Sequence, residues 1–258
     1  MRRCYISLYA AVCVVAFMTL ADSPTRAQEI KEKPPMYSYV ANWQIPRSQW
    51  GDVEKTNAAD QKILDKALAS GTIVGYGNDE NLVHQPEGET HDNFWSSMSM
   101  AGLLNVLDEF YKSPTIASPV LANATKHWDS IYVSRYYNWH AGSFKDAYTY
   151  VAFYKLKESA PDDAVDTLAK NLIAPLLEKM ISEGAVVEYE IDTQTIHTEN
   201  PNSFLIAYIT PNGEGIDKVN AAIRATLKAN PLGGPAFDSM VDYSAHRDEL
   251  LRTNATYK

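Results

Sequence analysis

One segment of this chain occurs twice, and that repeat limits the possible architecture more than any other feature. Residues 64–84, LDKALASGTIVGYGNDENLVH, align without a gap on residues 177–197, LEKMISEGAVVEYEIDTQTIH. Leu64/Leu177, Lys66/Lys179, Gly71/Gly184, Val74/Val187, Tyr76/Tyr189 and His84/His197 are identical. Upstream, YSYVANW at 37–43 matches YTYVAFY at 148–154. Downstream, KHWDSIYVSRYY at 126–137 echoes AHRDELLRTNAT at 245–256, sharing His127/His246 and Asp129/Asp248. Three matches in one order at nearly constant spacing mark a duplicated unit, and overlooking it would misassign the whole architecture.

Each copy reads as the same string of elements. The opening segments alternate with period two, so Tyr37, Tyr39, Ala41 and Trp43 share one side of a strand, as do Tyr148, Tyr150, Ala152 and Tyr154. A helix follows. In the second copy it starts at Asp162 or Asp163 and carries Val165, Leu168, Leu172, Leu176, Leu177 and Met180 at helical spacing to Gly184, with Pro175 expected to kink or divide it. In the first copy Ile63, Leu64, Ala67 and Leu68 give a weaker helix ending at Gly71. Strands are expected from Thr72 or Ala185 to His84 or His197, then at Asn93–Ser99 and Ser203–Thr210. A second helix spans Leu103 to Phe110, or Ile216 to Leu227. A turn of helix at each His-x-Asp and a last strand near Ser134–Asn138 or Thr253–Tyr257 complete the copy. The order is βαββαβ twice, the split βαβ unit. The fold class is α+β: two tandem ferredoxin-like units, 36–140 and 141–258. The tract from Trp128 to Trp139 joins them.

The N-terminus bounds where such a chain works. Arg2 and Arg3 precede an apolar run from Leu8 to Ala21, and Thr25-Arg26-Ala27 follows, the pattern of a secretory signal peptide cleaved after Ala27. Residues 28–35 are then a linker. The run is too short to span a bilayer permanently. The expected location is exported, periplasmic or secreted, with no membrane contact after cleavage. Cys4 and Cys13 both lie in this leader, so the mature chain has no cysteine for a disulfide, a thiol nucleophile or a thiolate-held metal. Without residues 1–27 the 23 basic and 32 acidic residues become 20 and 31, and this acidic balance disfavours nucleic acid or an anionic membrane as a partner.

The element order, the Tyr-x-Tyr-Val-Ala strands and the second strands that follow Gly71 and Gly184 resemble the dimeric α+β-barrel superfamily, with EthD-like, NIPSNAP-like and antibiotic-biosynthesis-monooxygenase-like domains among its relatives. The resemblance covers residues 36–258. It implies two units pairing sheet to sheet around a small cavity, within one chain. It spans cofactor-free oxygenases, haem-binding enzymes and proteins without established chemistry, so fold does not set function.

Candidate site residues follow from the repeat. His84 and His197 each end a predicted strand beside carboxylates, Glu87 and Glu89 in one copy and Glu199 in the other, which suits a general base or a strand-end cap. Asn42 and Trp95 pair with His84 in a haem-type reading that the resemblance suggests. Tyr39, Trp43, Tyr76, Trp95, Tyr150 and Tyr189 are candidate walls of a ligand cavity, and also ordinary sheet packing. His127/Asp129 and His246/Asp248 offer acid–base dyads or surface ion pairs, and His140 has no evident partner. No spacing supports a metal. G-x-S-x-G, G-x-x-x-x-G-K-[ST] and G-x-G-x-x-G are missing, so hydrolase and nucleotide chemistry is unsupported. The expected function is a small-molecule-binding or cofactor-free catalytic barrel acting on an organic molecule. The alternatives are a structural or interaction scaffold, and a haem-binding member of the superfamily.

Overall fold

The computed structural model describes residues 30–113, 118–198 and 201–258; the expected leader, residues 1–27, and Glu199 lie outside the described residues. Eight strands close into one antiparallel barrel: β1 (Met36–Gln44), β2 (Gly75–Asn81), β3 (His91–Ser97), β4 (Lys126–Trp139), β5 (Gly142–Leu156), β6 (Glu188–Gln194), β7 (Ser203–Thr210) and β8 (Val241–Tyr257). Around the barrel the order is β1-β3-β2-β8-β5-β7-β6-β4, and β4 returns to β1. Each half thus contributes four neighbouring strands in the same order, consistent with the βαββαβ reading. The halves are joined by β2 on β8 and by β4 on β6.

Helices cover the outside. The first half has α1 (Trp50–Ser70), α2 (Met100–Lys112) and a single turn, α3 (Pro119–Ala122). The second has α4 (Ala164–Leu168), a π turn (Ala169–Ile173), α5 (Ala174–Ser182), α6 (Gly213–Ala229) and α7 (Gly233–Met240). Among the described residues no helix is long and apolar enough to cross a membrane.

Matching residues do matching work in the two halves. Gly71 and Gly184 sit just past α1 and α5 with φ of +76° and +68°, a left-handed conformation that suits glycine and stops a helix. Ser99 caps α2 by accepting from the Gly102 N–H at 3.0 Å, and Asn212 caps α6 by accepting from Gly215 at 3.1 Å. The core is double. Tyr39, Tyr76 and Trp95 pack on Leu64, Leu103 and Val106, and Tyr189, Ile191 and Tyr208 pack on Leu177, Met180 and Val219.

Two expectations need correction. Helix α1 begins at Trp50, well before Ile63, because its buried face is built of small and polar residues such as Thr56 as well as Val53 and Leu64. The His-x-Asp segments form no helical turn. They lie inside β4 and β8, which are 14 and 17 residues long. Pro175 divides its helix as expected: it has no N–H to donate, and the π turn immediately before it absorbs the irregularity.

Candidate functional site

The period of two sorts every strand into a face toward the lumen and a face toward the helices. Ser38, Val40 and Asn42 of β1 point inward, while Tyr39, Ala41 and Trp43 point outward. The lumen is narrow, about 100 Å³, and acidic: Asp79, Asp92, Glu188, Glu190 and Asp192 line it together with Glu249, which pairs with Arg247, and no Lys or Arg is among the lining residues. Ser38 donates to Glu190 at 2.8 Å, while Asp79 Oδ1, Glu188 Oε1 and Asp192 Oδ1 are buried without a hydrogen-bond partner. Burial holds the first five of these carboxyls above their usual range, Asp79 at about 6. Among the described residues, no group of three or more His, Cys, Asp or Glu is arranged to hold a metal ion.

A cavity of about 320 Å³ adjoins the lumen, sharing Asn42, Tyr132, Phe153 and Glu249 with it and adding the charges of Glu87, Glu89, Lys155 and Arg247. Two more lie outside the barrel wall, between sheet and helices. In the second half a cavity of about 410 Å³ is lined by Tyr150, Tyr154 and Tyr208 from the sheet and by Leu172, Ile223 and Phe237 from the helices. In the first half the corresponding cavity, about 270 Å³, is walled by Tyr39, Trp43, Trp95, Phe110 and Tyr111, and His127 and Asp129 reach it. The rings stack in pairs across strands: Tyr39 on Trp95 with centroids 4.4 Å apart, and Tyr150 on Tyr208 at 5.3 Å.

Next to each cavity stands the same trio. Tyr39 shares a cavity wall with Asp129, which pairs across the strands with Ala41, and Tyr150 stands in the same strand register to Asp248, which pairs with Ala152. Asp129 Oδ1 lies 3.4 Å from His127 Nε2, and Asp248 Oδ1 lies 3.5 Å from His246 Nε2. The other ring nitrogen, Nδ1, is 2.9 Å from the Asn42 carbonyl and 2.8 Å from the Phe153 carbonyl. A carbonyl only accepts, so each Nδ1 carries the proton and donates it, which leaves Nε2 facing the carboxylate. Each imidazole is also fixed by stacking, His127 on Trp43 at 3.6 Å and His246 on Tyr154 at 4.5 Å. Burial first, and then the neighbouring carboxylate, pushes the Tyr39 and Tyr150 hydroxyls well up, so both stay protonated.

The candidates from the sequence are dispersed by this geometry. His84 and His197 are exposed in the loops after β2 and β6 and line none of the cavities described above; His84 meets the Trp50 ring edge-on at 5.0 Å. Asn42 faces the lumen and donates to the Trp128 carbonyl at 3.3 Å. Tyr39, Trp43 and Trp95 line the first outer cavity and Tyr150 the second. Tyr76 and Tyr189 instead tie sheet to helix, donating to Asp65 at 2.5 Å and Glu178 at 2.8 Å. His140 bonds the Ile181 carbonyl at 3.1 Å. The His-x-Asp dyads are held in geometry: two residues apart is a mismatch on a helix, but it places both side chains on one face of a strand. The luminal acids had a signal too, the alternation Glu188-Tyr-Glu190-Ile-Asp192.

A haem does not fit these residues. The large cavity has no His, Cys or Met lining, and neither outer cavity offers Lys or Arg for propionates. His127, at the smaller cavity, has one nitrogen on a carbonyl and the other on a carboxylate.

No protein-family model matches the sequence, and no curated protein matches it. Among solved structures the chain is similar to a proposed monooxygenase from Fusobacterium nucleatum subsp. nucleatum (TM-score 0.63, 8% identity, 88% of this chain and 95% of that one). It is also similar to a proposed monooxygenase from Lactobacillus acidophilus NCFM (0.58, 13%, 87% and 97%) and to an anthrone oxidase-like protein (0.52, 10%, 88% and 94%). At such identities the likeness is one of fold: an α+β chain closed into an eight-stranded antiparallel barrel.

Proposed function

We propose that this chain is an exported α+β barrel, duplicated in tandem as units 36–140 and 141–258, that binds a small, neutral, largely apolar organic molecule and acts on it without a cofactor. The observation that carries the reading is the 410 Å³ cavity of the second half, walled by stacked tyrosines and aliphatic side chains, with Asp238 as its charged lining residue and no Lys or Arg. That volume lies within the range of small-molecule sites, and one built of apolar walls with a few hydroxyls selects flat neutral ligands. The narrow acidic lumen suits no such molecule, and the 320 Å³ cavity adjoining it is lined by Glu87, Glu89, Glu249, Lys155 and Arg247, so a neutral apolar ligand belongs under the helices. The monooxygenase and oxidase-like descriptions of the structural neighbours support a small organic ligand.

The test is native mass spectrometry of protein taken from its own compartment, followed by identification of any released compound. An adduct is expected in the wild type and not in Ile223→Trp, whose indole would occupy the cavity. A clean apo mass in both, with no binding of naphthalene-sized aromatics, would defeat the reading. Peptide sequencing of the same sample tests export, with Gln28 as the expected first residue.

A further inference from the structure

The two halves furnish the lumen differently from matched positions. Strands β2 and β6 stand opposite each other in the ring of eight, with three strands between them by either route. Across the repeat Asp79 matches Asp192, while Gly75 and Gly77 match Glu188 and Glu190. In β2 the glycines make room for rings: a Cβ on Gly75 would run into the Tyr257 ring, and one on Gly77 into the Phe94 ring. Phe94 and Tyr257 both line the lumen, so β6 presents carboxyls where β2 gives way to aromatic faces. Three carboxyl oxygens on these two strands, Asp79 Oδ1, Glu188 Oε1 and Asp192 Oδ1, have no hydrogen-bond partner, on residues only 7%, 3% and 4% exposed. Buried oxygens of this kind cost folding free energy until a donor reaches them. At the mouth the chain supplies such a donor itself: Arg247 pairs with Glu249 and lies 3.8 Å from the centre of the Phe153 ring, and Glu249 and Phe153 both line the lumen. No Lys or Arg does the same for the other luminal acids.

We propose that the lumen is a binding site for a primary alkylammonium ion, its ammonium head set among Asp79, Glu188 and Asp192 and its alkyl chain against the Phe94 and Tyr257 rings. This site is separate from the sheet–helix cavities and independent of what binds there. An ammonium group carries three donors and no acceptor, which matches three oxygens that lack a donor. A cation also gains from the aromatic faces, whereas an anion would meet six carboxyls and a neutral alcohol would leave their charge uncompensated. A metal ion is a poorer match, because among the described residues no group of three or more His, Cys, Asp or Glu is arranged to hold one. Access is through the adjoining 320 Å³ cavity, which shares Asn42, Tyr132 and Phe153 with the lumen and carries Glu87 and Glu89. Burial favours the protonated form of Asp79, Glu188 and Asp192, and of Asp92 and Glu190 beside them, so ammonium binding releases protons and tightens as pH rises. The remaining titratable groups of the wall take no part: Tyr132 and Tyr257 are pushed up and stay neutral, and Glu249 is held by Arg247.

The probes are n-butylammonium chloride and n-butanol, which has the same chain and no charge, titrated calorimetrically into wild-type protein. At about pH 8 the ammonium is expected to bind at a single site and the alcohol not to bind, and at about pH 5 the ammonium affinity should fall about tenfold. In Glu188→Gln/Asp192→Asn the affinity at the higher pH should also fall about tenfold or more, because charge-assisted hydrogen bonds are lost. These changes remove buried charge and keep the side-chain shape, so the variant should melt no lower than wild type, which is the control for folding. Asp79→Asn, acting from the opposite wall, should weaken binding in the same direction. Absence of binding by n-butylammonium, equal binding of n-butanol, or full affinity in both variants would overturn the proposal. Displacement of n-butylammonium by an equimolar amount of calcium or magnesium would overturn it too, by making the lumen a metal site.

Discussion

Of the six carboxyl groups that line the lumen, Asp79, Asp92, Glu188, Glu190 and Asp192 are held above their usual range, and their chemistry sets the response of this protein to pH. Burial is the first cause of every shift; neighbouring acids then raise Asp92, through Asp79 and Glu89, and Glu188, through Glu190 and Asp192, while hydrogen bonds offset part of the shift at Asp79 and Glu190. A carboxyl whose pKa is higher in the folded chain than in the unfolded one holds its proton better when folded. Its contribution is therefore present in full below the unfolded value near 3.8 and is lost as pH rises through the folded value, about 6 for Asp79. The thermal midpoint is expected to fall between about pH 4 and about pH 7, against the usual rise in that interval. Asp79→Asn should be neutral at the acid end and stabilising by up to about 3 kcal/mol at the other, taking 1.36 kcal/mol per pKa unit. A midpoint that rises with pH in the wild type would show that the lumen is not protonated. At this scale the sequence was legible in part. The outward rings of Tyr39 and Tyr150 followed from strand alternation, but the helical turn expected at His127-x-Asp129 hides that these residues lie in a strand, where a spacing of two puts both side chains on one face. His84 and His197 were drawn into the site by identity between copies alone, which selects for structure at a strand end as readily as for chemistry.

Between helix and sheet, the spacing is set by glycines at matching positions. A Cβ on Gly102 would lie 2.7 Å from the Thr72 carbonyl oxygen, and one on Gly215 would lie 2.5 Å from the Ala185 carbonyl oxygen. In both cases the obstacle is backbone at the turn into the second strand, so the helix must move. Gly102→Ala and Gly215→Ala are each expected to cost about 1–3 kcal/mol, read as a lowered denaturant midpoint with an unchanged slope. Gly51→Ala, with open space around it, is the control and should be close to neutral or slightly favourable. Elements with strong punctuation were readable: β7 spans Ser203–Thr210 as its alternation indicates, and Gly71 and Gly184 stop their helices. Elements without it were not. The start of α1 has no side-chain cap, and its sequence WGDVEKTNAADQK has too few apolar residues to reveal a period. β4 and β8 hide long strands behind charged residues, because alternate positions outside the helix-covered region face solvent.

As a whole the molecule depends on β8, which pairs with β5 along nearly its full length and with β2 on its other side, so this last strand closes the ring. Thr253 sits at that seam, opposite Asp79 on one side and Ala147 on the other, and its hydroxyl hydrogen-bonds Thr149. Thr253→Pro removes a ladder N–H from a strand that is central on both sides and should cost about 3 kcal/mol or more. Hydrogen exchange should then accelerate in β2 as well as in β5. Exchange confined to β8 itself would mean that the two halves hold their shape independently. The element order was readable from the repeat, and closure was inferred from resemblance. The position of the cavities was not, because lumen and outer face both read as alternation, and only packing shows which face the helices leave room beneath. Two cavities of different size, about 270 and 410 Å³, stand in a single polypeptide. A substitution in one wall is therefore inherited by one cavity only, so the pair is free to specialise, one compartment refining a preference while its counterpart keeps or abandons the original.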